Sequence, residues 1–524
     1  VRPFAARWER SGSGGLFIGR KFRREAGSLL CPYNCNSGSR AKAEKDAKIE
    51  QFVFLRPLCG LSRDKTAAKI KLSRAIFPGK LCGLMQQVNL GMIGGGTVGS
   101  GVFHALQQNG ELMAARLGVK IAFRKIAVKA FDEPRPYPIA RALMTTDWQE
   151  VVNDPQIHIL IELVGGTGIA KTMVLAALAQ GKTVVTANKA LISAHGKELF
   201  AAAEKNGANL YYEASVCGGI PIIKSLREGF VANQFPAIYG IVNGTCNYIL
   251  TRMKLEGAEF ADVLADAQKQ GYAETPPDLD IDGCDAQHKT GILASLAHGF
   301  WVNHHAIHTE GIREISKIDM QFAQQLGYTI KLLGIVKQSK AQSPKSKVGG
   351  VQVSVYPALI PSSHVLANVN HVFNAVFVRG DVVGDTLFYG RGAGKDATAS
   401  AVLSDVADAA LDLKNGTNVR IPPFVACARG GRVMPMDEII SRYYVRLNVV
   451  DRPDVLAKIA AIFAAAKIGI SSVIQPEGHE GESVPLILMI HDAPNAAMRK
   501  ALAKITKLPP VKSKPVMIRV ETLE

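Results

Sequence analysis

Residues 274–289 read ETPPDLDIDGCDAQHK, and five carboxylates, Glu274, Asp278, Asp280, Asp282 and Asp285, fall in the first twelve positions. Carboxylates this close repel one another, so a positive group is expected among them: a metal ion, a cationic substrate, or solvent and salt. The calcium reading has Asp278, Asp280, Asp282 and Gly283 at positions 1, 3, 5 and 6 of an EF-hand loop. It fails at position 12, where Lys289 replaces the bidentate acid, and at position 8, where Asp285 replaces an apolar residue. What remains is a solvated acidic turn or a substrate site. Asp285 and Lys289 are spaced i and i+4, acid first, and on a helix would share a face. Such a pair is either a surface salt bridge of little worth or a proton-handling pair.

A glycine turn supplies the second kind of chemistry. VNLGMI (88–93) reads as a buried strand and runs into GGGTVGSGVFHAL, where Gly94, Gly96 and Gly99 satisfy G-x-G-x-x-G. The turn, with Thr97 and Val98 opening the helix, predicts a pyrophosphate at a helix N-terminus and hence a dinucleotide cofactor. The second strand, VKIAFRKIAV (119–128), ends at Lys129, where an acid would grip the NAD ribose. A basic residue there suits the 2′-phosphate and favours NADP over NAD; the alternative is an exposed strand-end lysine. IHILIELVGG (157–166) and TVVTANKALIS (183–193) continue the strand–helix alternation of a doubly wound α/β, Rossmann-type sheet. TANK then places Lys189 at the carboxyl edge, where ligands bind.

Composition bounds the remainder. At 524 residues and 47% hydrophobic the chain is long enough for about three domains. No run of eighteen apolar residues suggests a membrane span. The net charge of +17 is concentrated in residues 1–84, which hold 18 Lys+Arg against 6 Asp+Glu. That segment is expected to be disordered or a mis-annotated extension, with a nucleic-acid-binding arm as the alternative; the rest carries no nucleic-acid footprint. The eight cysteines are scattered with no CxxC pair, which suits a reducing, cytoplasmic setting. No zinc-type triad of ligands is apparent.

GGGTVGSG, TANKALI, EASVCGGIPII, NGTCNYI, GYAE…DIDGCDAQHK and GRGAGKDATASAV follow one another in order. In this the chain resembles the homoserine dehydrogenases, over about residues 88–420. The resemblance implies NAD(P)H-dependent reduction of L-aspartate 4-semialdehyde to L-homoserine, on the route to threonine, methionine and isoleucine. It implies that Glu274 and Asp280 receive the substrate ammonium, that Asp285 lies near the reacting oxygen, and that Lys289 moves the proton there. Lys189 would stand between cofactor and substrate, and two lysines so close would favour the loss of one proton. Thr245, in the substrate loop, and Tyr272 are implied in substrate binding, and Gly271 and Gly394 near the nicotinamide. EASVCGGIPII looks like a monovalent-cation loop, with the Glu213 carboxylate and the carbonyls of Val216, Gly218 and Ile220 around sodium; the alternative is a glycine-rich crossover between domains. Cys217 has no base beside it in sequence and is not expected to be a nucleophile.

The resulting layout is an NAD(P)-binding domain at 85–212 completed by 376–425, a substrate and dimerisation domain at 213–375, and a C-terminal unit at 440–524. That unit reads as βαββαβ, a ferredoxin-like pattern, and resembles an ACT domain. Threonine is the implied effector, although DRPD stands where the turn is usually DRPG, with Asp454 in place of glycine. A purely structural or dimerising unit is the alternative. A homodimer or homotetramer is expected. Two other functions stay open at this point: an amino-acid sensor on an inactive dehydrogenase scaffold, and a different semialdehyde oxidoreductase on the same fold.

Overall fold

The structure, a computed structural model, describes residues 85–339, 350–417, 419–427, 431–476, 479 and 481–524; the expectations for 1–84 lie outside the described residues. Six strands, β1 (Gln87–Ile93), β2 (Lys120–Ala127), β3 (Met144–Thr145), β4 (Ile159–Glu162), β5 (Thr183–Thr186) and β6 (Leu210–Tyr211), form a parallel sheet in the order β3-β2-β1-β4-β5-β6. This is the doubly wound order whose topological switch lies between β1 and β4. Leu90, Met92, Ile159 and Ile161 are buried because helices cover both faces. The helix Lys395–Lys414 returns from far along the chain and packs Ala399, Val402 and Val406 into the core that holds Val102, Phe103 and Leu106.

Two strands end earlier than their apolar runs suggest. β4 stops at Glu162 because its carboxylate takes the amide N–H of Val164 at 2.9 Å and of Gly165 at 3.3 Å, turning Leu163–Gly166 into a loop. β5 stops at Thr186, and Asn188 caps a new helix, its side chain accepting from the Leu191 amide at 3.0 Å. Lys189 is therefore the first residue of the helix Lys189–Lys205, still at the carboxyl edge of the sheet.

A second, mixed sheet contains eleven strands among the described residues. These are β7 (Ala237–Ile241), β8 (His308–Thr309), β9 (Tyr328–Gln338), β10 (Gly350–Pro361), β11 (Phe373–Gly380), β12 (Gly384–Arg391), β13 (Arg432–Val433), β14 (Ile440–Val450), β15 (Ile470–Ile474), β16 (Ser483–Pro494) and β17 (Val516–Val520). The main path is β12-β11-β7-β9-β10-β17-β14-β16-β15, and β8 and β13 also pair with β10. Its last four strands, with the helices Pro453–Ala465 and Asn495–Ile505, make the ferredoxin-like βαββαβ unit. The sheet does not break between the units: β10 pairs in parallel with β17, Ala358 opposite Arg519 and Leu359 opposite Val520. Buried polar bonds reinforce the junction. Arg446 Nε and the Tyr444 hydroxyl donate to the fully buried Asp319 at 2.7 and 3.0 Å, and Tyr356 donates to Glu521 at 2.8 Å.

The helix Cys284–His298 lies on this sheet. Thr290 packs so closely on β9 that a Cβ at Gly334 would sit 2.1 Å from its hydroxyl oxygen. That packing fixes the direction in which Asp285 and Lys289 point.

Candidate active site

The N-terminal turn of the helix Thr97–Leu117 requires its glycines for two separate reasons. Gly94 has φ of 106°, in the left-handed region, and a Cβ there would meet the Leu163 carbonyl at 2.6 Å. Gly99 lies so near the turn that a Cβ would stand 1.9 Å from the Gly94 oxygen. A Cβ at Gly96 would meet nothing within 4 Å, leaving open space in front of the helix N-terminus formed by Thr97, Val98 and Gly99. Lys129 is exposed just beyond β2. Arg135 braces that end of the sheet, donating to the carbonyls of Gly95 at 3.1 Å, Phe131 at 2.9 Å and Ala130 at 2.7 Å.

Beside this turn, a cleft of about 420 Å³ separates the two halves of the site. Val98, the loop 163–166, Asn188 and Lys189 come from the parallel sheet; Glu274, Leu279, Asp280, Asp285 and His288 come from the second domain. A ligand in the cleft thus touches the edge of the nucleotide fold and the acidic segment together.

The five carboxylates divide into two sets. Asp278 and Asp282 turn to Arg313, whose Nε is 2.5 Å from Asp282. These two are the solvated part of the run and make no calcium loop. Asp280 and Asp285 turn inward and share the Asn243 amide, which donates to them at 2.8 and 2.9 Å. Asn243 also caps the helix Gly244–Glu256, its oxygen accepting from the Cys246 amide at 2.8 Å. Glu274 is exposed on the cleft wall.

Burial decides what kind of pair Asp285 and Lys289 make. Lys289 Nζ is 2.7 Å from Asp285 Oδ2 and donates to the Val242 carbonyl at 2.8 Å, and the two residues are only 8% and 9% exposed. Lys189 Nζ reaches the other carboxylate oxygen at 3.1 Å with 41% of its side chain exposed. Burial disfavours both charges of the inner pair. The mutual attraction overcomes it, so Asp285 is held well below the usual carboxylate range and Lys289 above the usual lysine value. For Lys289 this runs against the expectation that crowding would strip a proton from one of the lysines, because the carboxylate between them favours its charged form. Lys189 fronts the cleft, whereas Lys289 stands one hydrogen bond behind Asp285.

The other sequence-derived residues lie around this centre. Thr245 is buried and donates to the Tyr272 carbonyl at 2.5 Å, tying the first turn of the helix Gly244–Glu256 to the acidic segment, while the Tyr272 ring lies tilted against Tyr248. Gly271 and Gly394 have φ of 73° and 113°; Gly394 caps the helix Lys395–Lys414. Neither glycine lines the cleft wall, nor do Thr245, Tyr272 and Lys129.

Glu213 is 3% exposed, and burial pushes its carboxyl up to about 7 although it accepts the amides of Ile223 at 2.9 Å and Lys224 at 2.6 Å. Asp405, also buried and raised, accepts the Glu213 amide at 2.8 Å. Cys217 and Gly218 follow with φ of 54° and 38°. Two crowded, buried acids lie beside a tight backbone turn, both raised by burial although Arg227 acts on each and Lys224 on Glu213; oxygen donors of this kind suit a hard cation. Burial pushes the Cys217 thiol up to about 11, as expected of a cysteine that is not a nucleophile. The loop connects to the lysine: the Asn374 amide lies 3.7 Å from Cys217 Sγ and donates at 3.0 Å to the Val242 carbonyl that also receives Lys289.

Three contributors escaped the sequence reading. Asn243 carried a visible signal, an Asn directly before a helix. Glu162, an acid closing an apolar strand, also accepts from Thr186 at 2.6 Å and so shapes both cleft loops. His288 lines the cleft with a buried, unpartnered Nδ1; its spacing marks only a helix face.

Comparison with known proteins agrees with this geometry. The family model described as "Homoserine dehydrogenase, NAD binding domain" matches residues 94–213, and "Homoserine dehydrogenase" matches 221–407. Homoserine dehydrogenases of Neisseria gonorrhoeae and Pseudomonas aeruginosa are each 41% identical over 84% of this chain and all of their own length. A crystal structure of a homoserine dehydrogenase from Thiobacillus denitrificans superposes with a TM-score of 0.77 at 41% identity, covering 84% of this chain and 99% of that one. A hyperthermophilic archaeal homoserine dehydrogenase in complex with NADPH superposes with a TM-score of 0.52 at 28% identity, covering 62% of this chain and 98% of that one.

Proposed function

This chain belongs to the homoserine dehydrogenase family, and from that premise we propose how its residues divide the work. The enzyme is an NAD(P)-dependent oxidoreductase that interconverts L-aspartate 4-semialdehyde and L-homoserine. The observation that carries the division is the buried Lys289–Asp285 pair behind a cleft fronted by Lys189, Glu274 and Asp280.

Glu274 and Asp280 receive the substrate ammonium, and the loop at Thr245 and Tyr272 receives its carboxylate. The aldehyde end then lies toward Asp285 and the two lysines. A bound reduced nicotinamide supplies the hydride, held by the turn Gly94–Gly99 and by residues near Gly271 and Gly394. As charge grows on the aldehyde oxygen, Lys289 gives its proton, and Asp285 orients the ammonium and stabilises it until transfer. In the reverse direction the neutral amine takes the alcohol proton. A second reading makes Lys189 the donor, because it stands on the cleft wall while Lys289 lies behind Asp285. The two are separated by homoserine-dependent reduction of NADP in Lys289→Ala and Lys189→Ala: the donor's loss removes turnover and leaves cofactor affinity nearly intact.

NADP is favoured over NAD by Lys129 and by the absence of an acid at the end of β2, and the archaeal relative's NADPH complex supports it. Glu213, with the carbonyls of Val216, Gly218 and Ile220, would hold sodium, which supplies positive charge to the loop and steadies the Val242 carbonyl under Lys289. The C-terminal unit is read as an ACT domain sensing threonine or a related amino acid. The second domain pairs in a homodimer or homotetramer. No helix among the described residues is long and apolar enough to cross a membrane, and the enzyme is assigned to the cytoplasm.

A further inference from the structure

Two acceptors aim the Lys289 ammonium. Its Nζ donates to Asp285 Oδ2 at 2.7 Å and to the Val242 carbonyl at 2.8 Å. An ammonium nitrogen is tetrahedral and carries three N–H bonds, so fixing two of them fixes the direction of the third. Asp285 is itself braced by the Asn243 amide at 2.9 Å and by Lys189 at 3.1 Å.

The Val242 carbonyl has no comparable support from the sheet. β7 pairs with β11 from Ala237 to Ile241 and with β9 only as far as Gly240. The peptide plane between Val242 and Asn243 therefore lies beyond both ladders. Asn374 supplies what the ladders do not. It precedes Ala375, the β11 partner of Ile241, and its Nδ2 donates to the Val242 carbonyl at 3.0 Å. This contact also sets the orientation of the amide, since an oxygen in place of Nδ2 would face the Val242 oxygen.

The amide is closely held. Asn374 is 1% exposed, a Cβ at Gly392 would stand 1.9 Å from its Nδ2, and a Cβ at Gly244 would stand 3.5 Å from its Oδ1. That Oδ1 is buried without a partner among the described residues, a cost that a leucine of similar shape would avoid. What the amide offers against this cost is its N–H bonds.

We propose that Asn374 is a positioning residue for proton transfer: by holding the Val242 carbonyl it keeps the Lys289 ammonium in one orientation, with the N–H left over by Asp285 and Val242 directed at the substrate oxygen. The proposal rests on the reading of Lys289 as the group that moves the proton. In homoserine oxidation, the neutral amine takes the hydroxyl proton as the hydride leaves carbon for NADP. Its lone pair then lies along the direction that the third N–H takes in the ammonium.

The test is steady-state homoserine oxidation by the full chain, in H2O and in D2O, for Asn374→Leu and Asn374→Ala beside Lys289→Ala. The leucine keeps the volume and removes the N–H bonds; the alanine removes them with a smaller side chain. A fall in kcat of about 10- to 100-fold is expected in both, the scale of a misplacement of about 1 Å. KM for homoserine and Kd for NADP should stay within about threefold. The solvent isotope effect on kcat should rise above the parent's, because the misaimed proton transfer becomes the slow step. A kcat within about twofold of the parent's, in either variant that binds NADP, overturns the assignment. A lower kcat with KM raised in proportion and an unchanged isotope effect, or loss of NADP binding in both variants, makes Asn374 a structural residue and overturns it too. Parental turnover in Lys289→Ala instead brings down the reading of Lys289. Turnover lost there but kept in Asn374→Leu brings down the role of Asn374 alone.

Discussion

Asp285 and Lys289 stand one helical turn apart, 2.7 Å between charged atoms, with less than a tenth of either residue exposed. A pair this buried is costly to make and more costly to halve. Asp285→Ala leaves the Lys289 ammonium without its counter-ion and should lower unfolding free energy by about 3–5 kcal/mol. Lys189→Ala, at the half-open end of the same carboxylate, should cost about 1 kcal/mol or less. Urea unfolding of the two variants beside the parent measures the difference; equal losses would mean that the inner pair is not buried in solution.

The pair also sets the shape of the stability profile against pH. Asp285 is depressed, so its contribution is present above the unfolded carboxylate value and is lost as pH falls through the folded one. Lys289 is raised, so its contribution is complete below the unfolded lysine value and fades as pH rises through the folded one. A plateau across neutral pH is expected for this pair, with losses only in strong acid and strong alkali, and Lys289→Met should remove the alkaline loss.

Glu213 behaves oppositely. Its folded value is raised to about 7, so between the ordinary carboxylate value and that point the unfolded chain ionises while the folded one does not. Stability should decline over that interval in sodium-free buffer and decline less in sodium. Melting temperatures from pH 5 to 8 in sodium against tetramethylammonium chloride test it; Glu213→Gln should abolish the difference between the salts.

At the substrate end, Glu274→Gln should raise KM for homoserine about 10- to 100-fold and change kcat less, the loss of one charge-assisted contact. KM for NADP should stay within about twofold. A matching loss for NADP would place Glu274 against the cofactor instead.

At the cofactor end, Lys129→Asp should shift preference from NADP toward NAD by about tenfold or more. Gly99→Ala should abolish binding of either nucleotide, since the added carbon would collide with the Gly94 carbonyl at 1.9 Å. Fluorescence titration of both reduced nucleotides reads each effect.

What could be read before the structure was whatever local spacing encodes. Gly94 and Gly99 announce a turn because conformation or close contact admits no side chain at either, Gly96 leaves open space before the helix, and Asp285 and Lys289 announce a shared face through helical period. Whether that face is wet or dry is settled by the packing of Thr290 on Gly334, a contact between distant segments. The division of the acidic run depends on Arg313 and Asn243, one beyond it and one before it, so spacing within the run does not show which carboxylates turn inward. The ferredoxin-like pattern was legible from its strand and helix periods, yet the pairing of β10 with β17 was not, because strand register between remote segments leaves no local mark. For Lys289 the expected loss of a proton counted the two cations and not the carboxylate between them.

The central claim is that Lys289 moves the proton while the nucleotide is held elsewhere. Steady-state homoserine oxidation by Lys289→Ala, with NADP affinity measured in the same preparation, tests it most directly. A fall in kcat of about 100-fold or more with cofactor affinity within about threefold is the expected result. Near-parental turnover in Lys289→Ala, with the loss appearing in Lys189→Ala instead, would contradict it.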